Sequence, residues 1–234
     1  MRRKNSIVLI FTGLFIIQTI SCEKDEYSEN QMSGLIYETV SDQEGNKYRT
    51  IQIGTQVWMA ENLRTARFRD GSSIPVIQSG TMWESATKGA YCRYENNDTV
   101  AAAYGHLYNW YAVTDSRGLA PAGWHIPGEA DWETLAGFLG GTGTAAMKLK
   151  EKGTRHWSSA SPGATNESGF TALPGGARGE VGQYCFLGTA GFWWSSGFTN
   201  DRTADLRCVT NHSSRLFKYT YNKEYGFSVR CVKD

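Results

Sequence analysis

The sequence predicts an α+β domain, rich in loops, in which two to three short helices pack on small twisted antiparallel sheets. Three observations predict it. Segments of helical period are few and short, strand-length apolar runs recur between turn residues, and the composition favours rings and glycine, with eight Trp, twelve Tyr and 26 Gly in 234 residues.

In chain order, the first element is an address. Arg2, Arg3 and Lys4 precede an apolar run from Ile7 to Ile17, too short for the roughly twenty residues that cross a bilayer core. A basic flank, a short apolar run and a small-residue exit are the features of a secretory signal. Thr19-Ile20-Ser21-Cys22 then resembles a lipobox, although Thr19 stands where leucine is usual. Residues 1–21 are therefore expected to be a lipoprotein signal peptide, with Cys22 as the lipid attachment site. Each buried methylene of the acyl chains contributes about 0.8 kcal/mol, so two or three chains give a stable membrane anchor. Residues 22–33 carry five charges in Glu23 to Asn30 and no apolar pattern, which predicts a disordered tether. Its acidic run resembles the surface-export signal of lipoproteins in Bacteroidetes-type bacteria, and a plain periplasmic spacer is the alternative.

Residues 34–234 are read as one domain, long enough to bury a sizeable core. Removing the three basic residues of the signal leaves 21 Lys plus Arg against 23 Asp plus Glu, a mature charge of about −2 that gives nucleic-acid binding no support. Four cysteines remain after Cys22, namely Cys92, Cys185, Cys208 and Cys231, which outside the cytoplasm allow two disulfides in three connectivities. None forms a Cys-x-x-Cys pair, so a zinc site is not expected.

Within this domain Tyr37–Val40 and Tyr48–Ile53 flank the turn-rich Asp42-Gln43-Glu44-Gly45-Asn46 and predict a hairpin. Gln56–Trp58 is a third strand, and Arg69–Asn97 lacks any period and predicts a long loop. Tyr104–Val113 has the spacing of a first helix, with Tyr104, Leu107 and Tyr111 on one face. Trp124–Pro127 is a short extended piece. Glu129–Leu139 is a second helix with Trp132, Leu135, Ala136 and Leu139 inward, ended by Gly140-Gly141. Ala145–Glu151 is a third. Beyond Gly153 only loops and strands are expected, the strands being Phe192–Ser196, Ala204–Thr210 and Phe227–Val232.

Six segments together carry a resemblance. Ile53–Leu63 (IGTQVWMAENL), Tyr108–Val113 (YNWYAV), Gly123–Pro127 (GWHIP), Gly169–Gly176 (GFTALPGG), Trp193–Ser196 (WWSS) and Gly226–Val232 (GFSVRCV) resemble the signature blocks of the Fibrobacter succinogenes major paralogous domain, in that family's order. The family is similar to the C-type lectin-like and formylglycine-generating-enzyme folds, which implies two helices on small twisted sheets with the chain ends brought together. It supplies no ligand, since members are mostly secreted or lipidated proteins of unassigned activity. A cysteine usual in the family before Pro-x-Gly-Trp-His, where it resembles the partner of the last strand's cysteine, is replaced here by Ala120. Cys231 is then free or re-paired with Cys92, and Cys185 and Cys208 are left as the remaining disulfide pair. Gly128 also replaces the usual Ser or Thr helix cap, at a cost of a few tenths of a kcal/mol.

Catalysis is not expected. His106, His125, His156 and His212 form no i, i+4 pair, and Ser195 and Ser196 lack the elbow that exposes a nucleophile. A formylglycine-generating-type oxidase would require Cys185 and Cys208 to act as an active-site pair. A calcium-dependent lectin needs clustered oxygens, for which Glu95-Asn96-Asn97-Asp98 is the nearest substitute, and no metal or other cofactor is expected. Asp98-Thr99-Val100 resembles a glycan acceptor. What remains is recognition by rings on loops. The candidates for binding a glycan or protein ligand are Trp83, Tyr94, Trp157 and Tyr184, with Tyr91 and Phe186 beside them, although loop rings also fill satellite cores. The expectation is a lipid-anchored outer-membrane protein with a lectin-like binding or adhesion domain, which faces the cell surface if the acidic run is an export signal and the periplasm if it is a spacer. A scaffold subunit of an envelope complex is the alternative.

Overall fold

Strands β1 (Tyr37–Ser41) and β2 (Lys47–Ile53) form the expected hairpin, registered from Tyr37 opposite Ile51 to Ser41 opposite Lys47. Asp42 makes its turn, because Oδ1 accepts the backbone N–H groups of Glu44 at 2.9 Å and Asn46 at 3.0 Å. The computed structural model describes residues 34–161 and 163–234. The signal peptide, the tether and Cys22 lie outside the described residues. No helix among those described is long and apolar enough to cross a membrane.

The remaining strands are β3 (Gln56–Met59), β4 (Tyr91–Cys92), β5 (Leu107–Tyr108), β6 (Trp124–His125), β7 (Gly175–Arg178), β8 (Tyr184–Leu187), β9 (Ala190–Phe198), β10 (Thr203–Thr210), β11 (Phe217–Asn222) and β12 (Val232–Lys233). The main sheet runs β1-β2-β3-β12-β6, a second runs β11-β10-β9, and β4-β5 and β7-β8 are two-stranded. The paired strands are antiparallel. The first and last strands therefore share one sheet. Short helices α1 (Gly80–Glu84), α2 (Asp98–Tyr104), α3 (Trp110–Val113), α4 (Glu129–Phe138) and α5 (Ala145–Leu149) complete an α+β domain.

Helix α4 follows its sequence pattern, with Trp132, Leu135, Ala136 and the C-cap Leu139 all buried. Its inner face meets Trp58, whose ring lies 4.9 Å from that of Trp132, and Phe170 continues the stack against Trp193. Gly128 has no capping side chain, and Asp131 compensates by accepting the Gly128 N–H at 2.8 Å.

Three expectations need correction. The first helix is not continuous over Tyr104–Val113. Helix α2 ends at Gly105, whose φ of +79° is left-handed and whose added Cβ would meet Leu63 O at 2.8 Å. The chain then extends so that Leu107–Tyr108 can pair with Tyr91–Cys92, and Asn109 caps a new helix by accepting the Ala112 N–H at 3.1 Å. Sheet pairing overrides the local period. The segment Arg69–Asn97 is also more ordered than a loop, since it holds α1, β4 and a 3₁₀ turn at Tyr94–Asn96. Finally, only Val232–Lys233 joins the ladder at the C-terminus, because Phe227 and Ser228 bridge instead to Tyr108 and Trp193.

Much of this chain is irregular, so its buried backbone carbonyls need partners that sheets and helices would otherwise supply. Buried cations supply them. Arg230 Nη2 donates to Thr171 O at 2.8 Å, and Nη1 reaches Phe170 O. Arg178 donates to Ile77 O, Gln78 O and Gly182 O. Lys150 Nζ reaches Thr210 O, Ser213 O and the Ser161 hydroxyl. All three residues are fully buried. Burial pulls the Lys150 ammonium down to about 8 and the Arg230 guanidinium to about 9.

Asn62 centres this interior. Its Oδ1 accepts from Trp193 Nε1 at 2.8 Å and Arg230 Nε at 2.9 Å, while Nδ2 donates to Tyr104 O at 2.8 Å. Asn62, Trp193 and Arg230 come from three of the segments that carry the family resemblance. Those segments thus encode a buried polar hub.

Candidate functional site

Of the four rings singled out from sequence, Trp83, Tyr94 and Tyr184 gather around Arg178 and Trp157 lies in another cluster, and the gathered rings are mostly covered. Trp83 and Trp157 are fully buried and Tyr94 nearly so. Trp83 sits beneath Arg178, whose Cζ lies 4.6 Å over its ring, in a small cluster with Cys92, Tyr94 and Leu107. Trp157 joins the cluster around Trp58 and Trp132. A covered ring has no face to offer, so the ligand-binding expectation for Trp83, Tyr94 and Trp157 is corrected. They fill cores under the loops, where each buried aromatic contributes roughly 1.5–3 kcal/mol. Tyr184 is partly exposed but anchored, tilted on Tyr94 at 5.0 Å and held under Arg178.

The disulfide expectation is corrected as well. Cys92, Cys185, Cys208 and Cys231 are all free, so neither Cys185–Cys208 nor Cys92–Cys231 is bonded. Cys208 lies opposite Phe217 on one side and Phe192 on the other, buried in the same core cluster. Burial pushes the Cys92 thiol up to about 11 and that of Cys208 to about 12. Cys185 is partly exposed.

Residues with catalytic potential are similarly occupied. Ser195 Oγ donates to Pro127 O at 3.1 Å and is buried. His125 bridges Asp234 at 2.7 Å and Asp131 at 3.3 Å, tying β6, β12 and α4 together. His156 pairs with Glu151 at 2.7 Å, and among the described residues no hydroxyl or thiol hydrogen-bonds to that imidazole. In the Glu95–Asp98 segment Asn97 caps α2 and Asp98 pairs with Arg93 at 2.9 Å, so the oxygens do not converge. No group of three His, Cys, Asp or Glu among the described residues could hold a metal ion. A cavity of about 110 Å³ beside Asp42 and Ala120 is lined by Arg67 and Arg69, which are held by Gly71 O, Ala120 O and Trp124 O.

The exposed chemistry lies instead along β11. In register, Cys208, Leu206 and Ala204 of β10 face Phe217, Tyr219 and Tyr221 of β11. Cross-strand partners point to the same side, so these rings continue the layer formed by Phe192 and Trp194 of β9. Strand β11 is the edge, and there the layer emerges into solvent, with Tyr219 42% and Tyr221 36% exposed. Phe217 and Tyr219 lie 5.6 Å apart with planes 14° from parallel, and Tyr221 packs edge-on to Tyr225 at 4.9 Å. Phe227 joins this group to Phe192, and Phe192 joins Phe186, which is 56% exposed.

Phe186 is held in a left-handed conformation, φ +66°, which for a bulky residue costs of order 1–3 kcal/mol. Opposite it Gly176 is also left-handed, and a Cβ there would meet Cys185 O at 2.5 Å. The distorted β7-β8 ladder thereby aims the Phe186 ring outward. Phe186 is the one loop ring noted from sequence that is largely exposed. Phe217, Tyr219 and Tyr221 were missed, although their alternation with Lys218, Thr220 and Asn222 is the period of a strand with one apolar face.

A search of curated proteins and of solved structures finds no significant match to the chain. The model of one family, the Fibrobacter succinogenes major domain, matches residues 51–233, from the middle of β2 to the end of β12. The matched span holds the Asn62–Trp193–Arg230 hub and the β11 edge alike, and the chain belongs to the Fibrobacter succinogenes major domain family.

Proposed function

We propose that this chain is a cell-envelope lipoprotein, anchored at the outer membrane through lipid on Cys22, whose C-type lectin-like domain binds a glycan or protein ligand in adhesion. The observation that carries the binding role is the exposed ring group of Phe186, Tyr219 and Tyr221, locked by ring contacts to a buried core. Rings already fixed in place lose little conformational freedom when a ligand covers them. The sharing of one sheet by the first and last strands supports the lectin-like assignment. The basic, apolar and lipobox segments ahead of Cys22 support the anchor.

Two experiments on cells test this reading. A fatty-acid probe labels the wild type and leaves Cys22→Ala unlabelled, and labelling of the variant overturns the anchor. Adherence of cells bearing Tyr219→Ala with Tyr221→Ala falls at least several-fold at equal surface abundance. Unchanged adherence overturns the site.

A further inference from the structure

The ring group on β11 has a second property besides exposure. The Tyr37, Tyr48, Tyr104, Tyr108, Tyr111 and Tyr184 hydroxyls each hydrogen-bond within the domain. Those of Tyr219, Tyr221 and Tyr225 hydrogen-bond to no described residue. Burial pushes the Tyr221 and Tyr225 phenols up, so both remain protonated donors at neutral pH. Three unoccupied hydroxyls on one block of rings call for a ligand with apolar faces and a hydroxyl rim.

The charges around the edge are balanced from within. Lys218 is paired with Glu129 at 2.9 Å and with Asp205 at 3.4 Å. Glu180 accepts from the Asn222 amide, and Lys223 Nζ donates to Asp201 O at 2.9 Å. Arg215, 6.0 Å over Phe217, and Arg202, whose carbonyl accepts the Lys223 N–H, are cations at opposite ends of the strand, and Lys218 between them is paired. Among the described residues a polyanion would find no row of free cations along this edge, and a calcium-bridged sugar would find no cluster of acidic ligands.

We infer that the ligand of this edge is a neutral saccharide chain, bound without calcium, its pyranose C–H faces stacked on Tyr219, Tyr221 and Phe186 and its hydroxyls bonded to the Tyr219, Tyr221 and Tyr225 phenols. This rests on the binding role proposed above and fixes its ligand class. Thr220 Oγ1, on the opposite side of the strand, is already bonded to Asp205, so the ring side is the one left for the sugar.

The test is affinity electrophoresis and calorimetry on the full lipidated chain in detergent. The probes are soluble neutral polysaccharides (a β-glucan, a xyloglucan and a galactomannan), with polygalacturonate as the anionic control. At least one neutral polymer retards the wild type equally in calcium and in EDTA. Tyr219→Ala with Tyr221→Ala weakens that binding tenfold or more while the melting temperature stays within a few degrees. Tyr221→Phe, which keeps the ring and loses the hydroxyl, weakens it by a smaller factor. The saccharide inference is overturned if no neutral polymer binds, if EDTA abolishes binding, or if only polygalacturonate binds. It falls while the site survives if a purified protein ligand binds the wild type and not the double alanine variant. If the double variant retains every interaction of the wild type, inference and site fall together.

Discussion

The interior around Asn62 and the edge along β11 are both built from rings, yet they differ in where their polar atoms go. In the interior Trp193 Nε1 donates to Asn62, Trp194 Nε1 donates to Tyr108 O at 2.8 Å, and the Tyr108 hydroxyl donates to Thr65 O at 2.7 Å. At the edge three phenols in mutual ring contact donate to no described residue. Ring content therefore does not separate a binding surface from a core in this fold. The fate of the N–H and O–H groups is the better guide, although the buried indoles of Trp83, Trp132 and Trp157 also lack a partner among the described residues: a covered donor cannot reach a ligand, whereas an exposed one stays free for it.

The largest effect that would sharpen this contrast is at Arg230. Arg230→Met keeps most of the volume but strips partners from Asn62 Oδ1, Phe170 O and Thr171 O. At roughly 1–3 kcal/mol for each buried group left unsatisfied, a loss of about 3 kcal/mol or more is expected in urea unfolding. A loss under about 1 kcal/mol would remove the hub from the account of stability.

Next in size is a pH effect from the interior. Burial holds His106, stacked on Tyr91 at 4.5 Å, down to about 4 against an ordinary 6.5. Its folded pKa lies below its unfolded one, so the unfolded chain takes up the proton first as pH falls. Stability is therefore full above pH 6.5 and drops by about 3 kcal/mol between 6.5 and 4, at 1.36 kcal/mol per unit. Urea midpoints across that range should fall in the wild type and much less in His106→Phe.

Thiol labelling compares the two regions directly. Cys185 lies beside the edge and is partly exposed, whereas Cys92, Cys208 and Cys231 are buried. A thiol reagent should label Cys185 first under native conditions and the other three only on unfolding. Equal rates at all four would mean that the interior opens readily. The smallest effect on stability is expected where the largest effect on binding is, since Tyr219→Ala and Tyr221→Ala should each change unfolding free energy by about 1 kcal/mol or less. A larger loss would make these rings structural.

The sequence carried a good part of the fold. Helix α4 was legible because Trp132, Leu135, Ala136 and Leu139 mark a single face, and the first hairpin because Asp42 and Gly45 punctuate two strands. The split of Tyr104–Val113 was not legible, since Leu107–Tyr108 becomes a strand only when Tyr91–Cys92 lies beside it. The site was mostly hidden for a related reason. Trp83, Trp157 and Tyr94 sit in loops in the sequence, and nothing local reveals that Arg178 or a distant helix covers them.

The sequence by itself determined the α+β class, the family and the segments that make the hub, because turn residues, period and the signature blocks are local properties of the chain. Tertiary structure alone decided which rings are covered, which cysteines have neighbours and that β11 is an edge. Exposure and pairing depend on what packs against a residue from far along the chain, and a sheet has an edge only once its strands have been ordered.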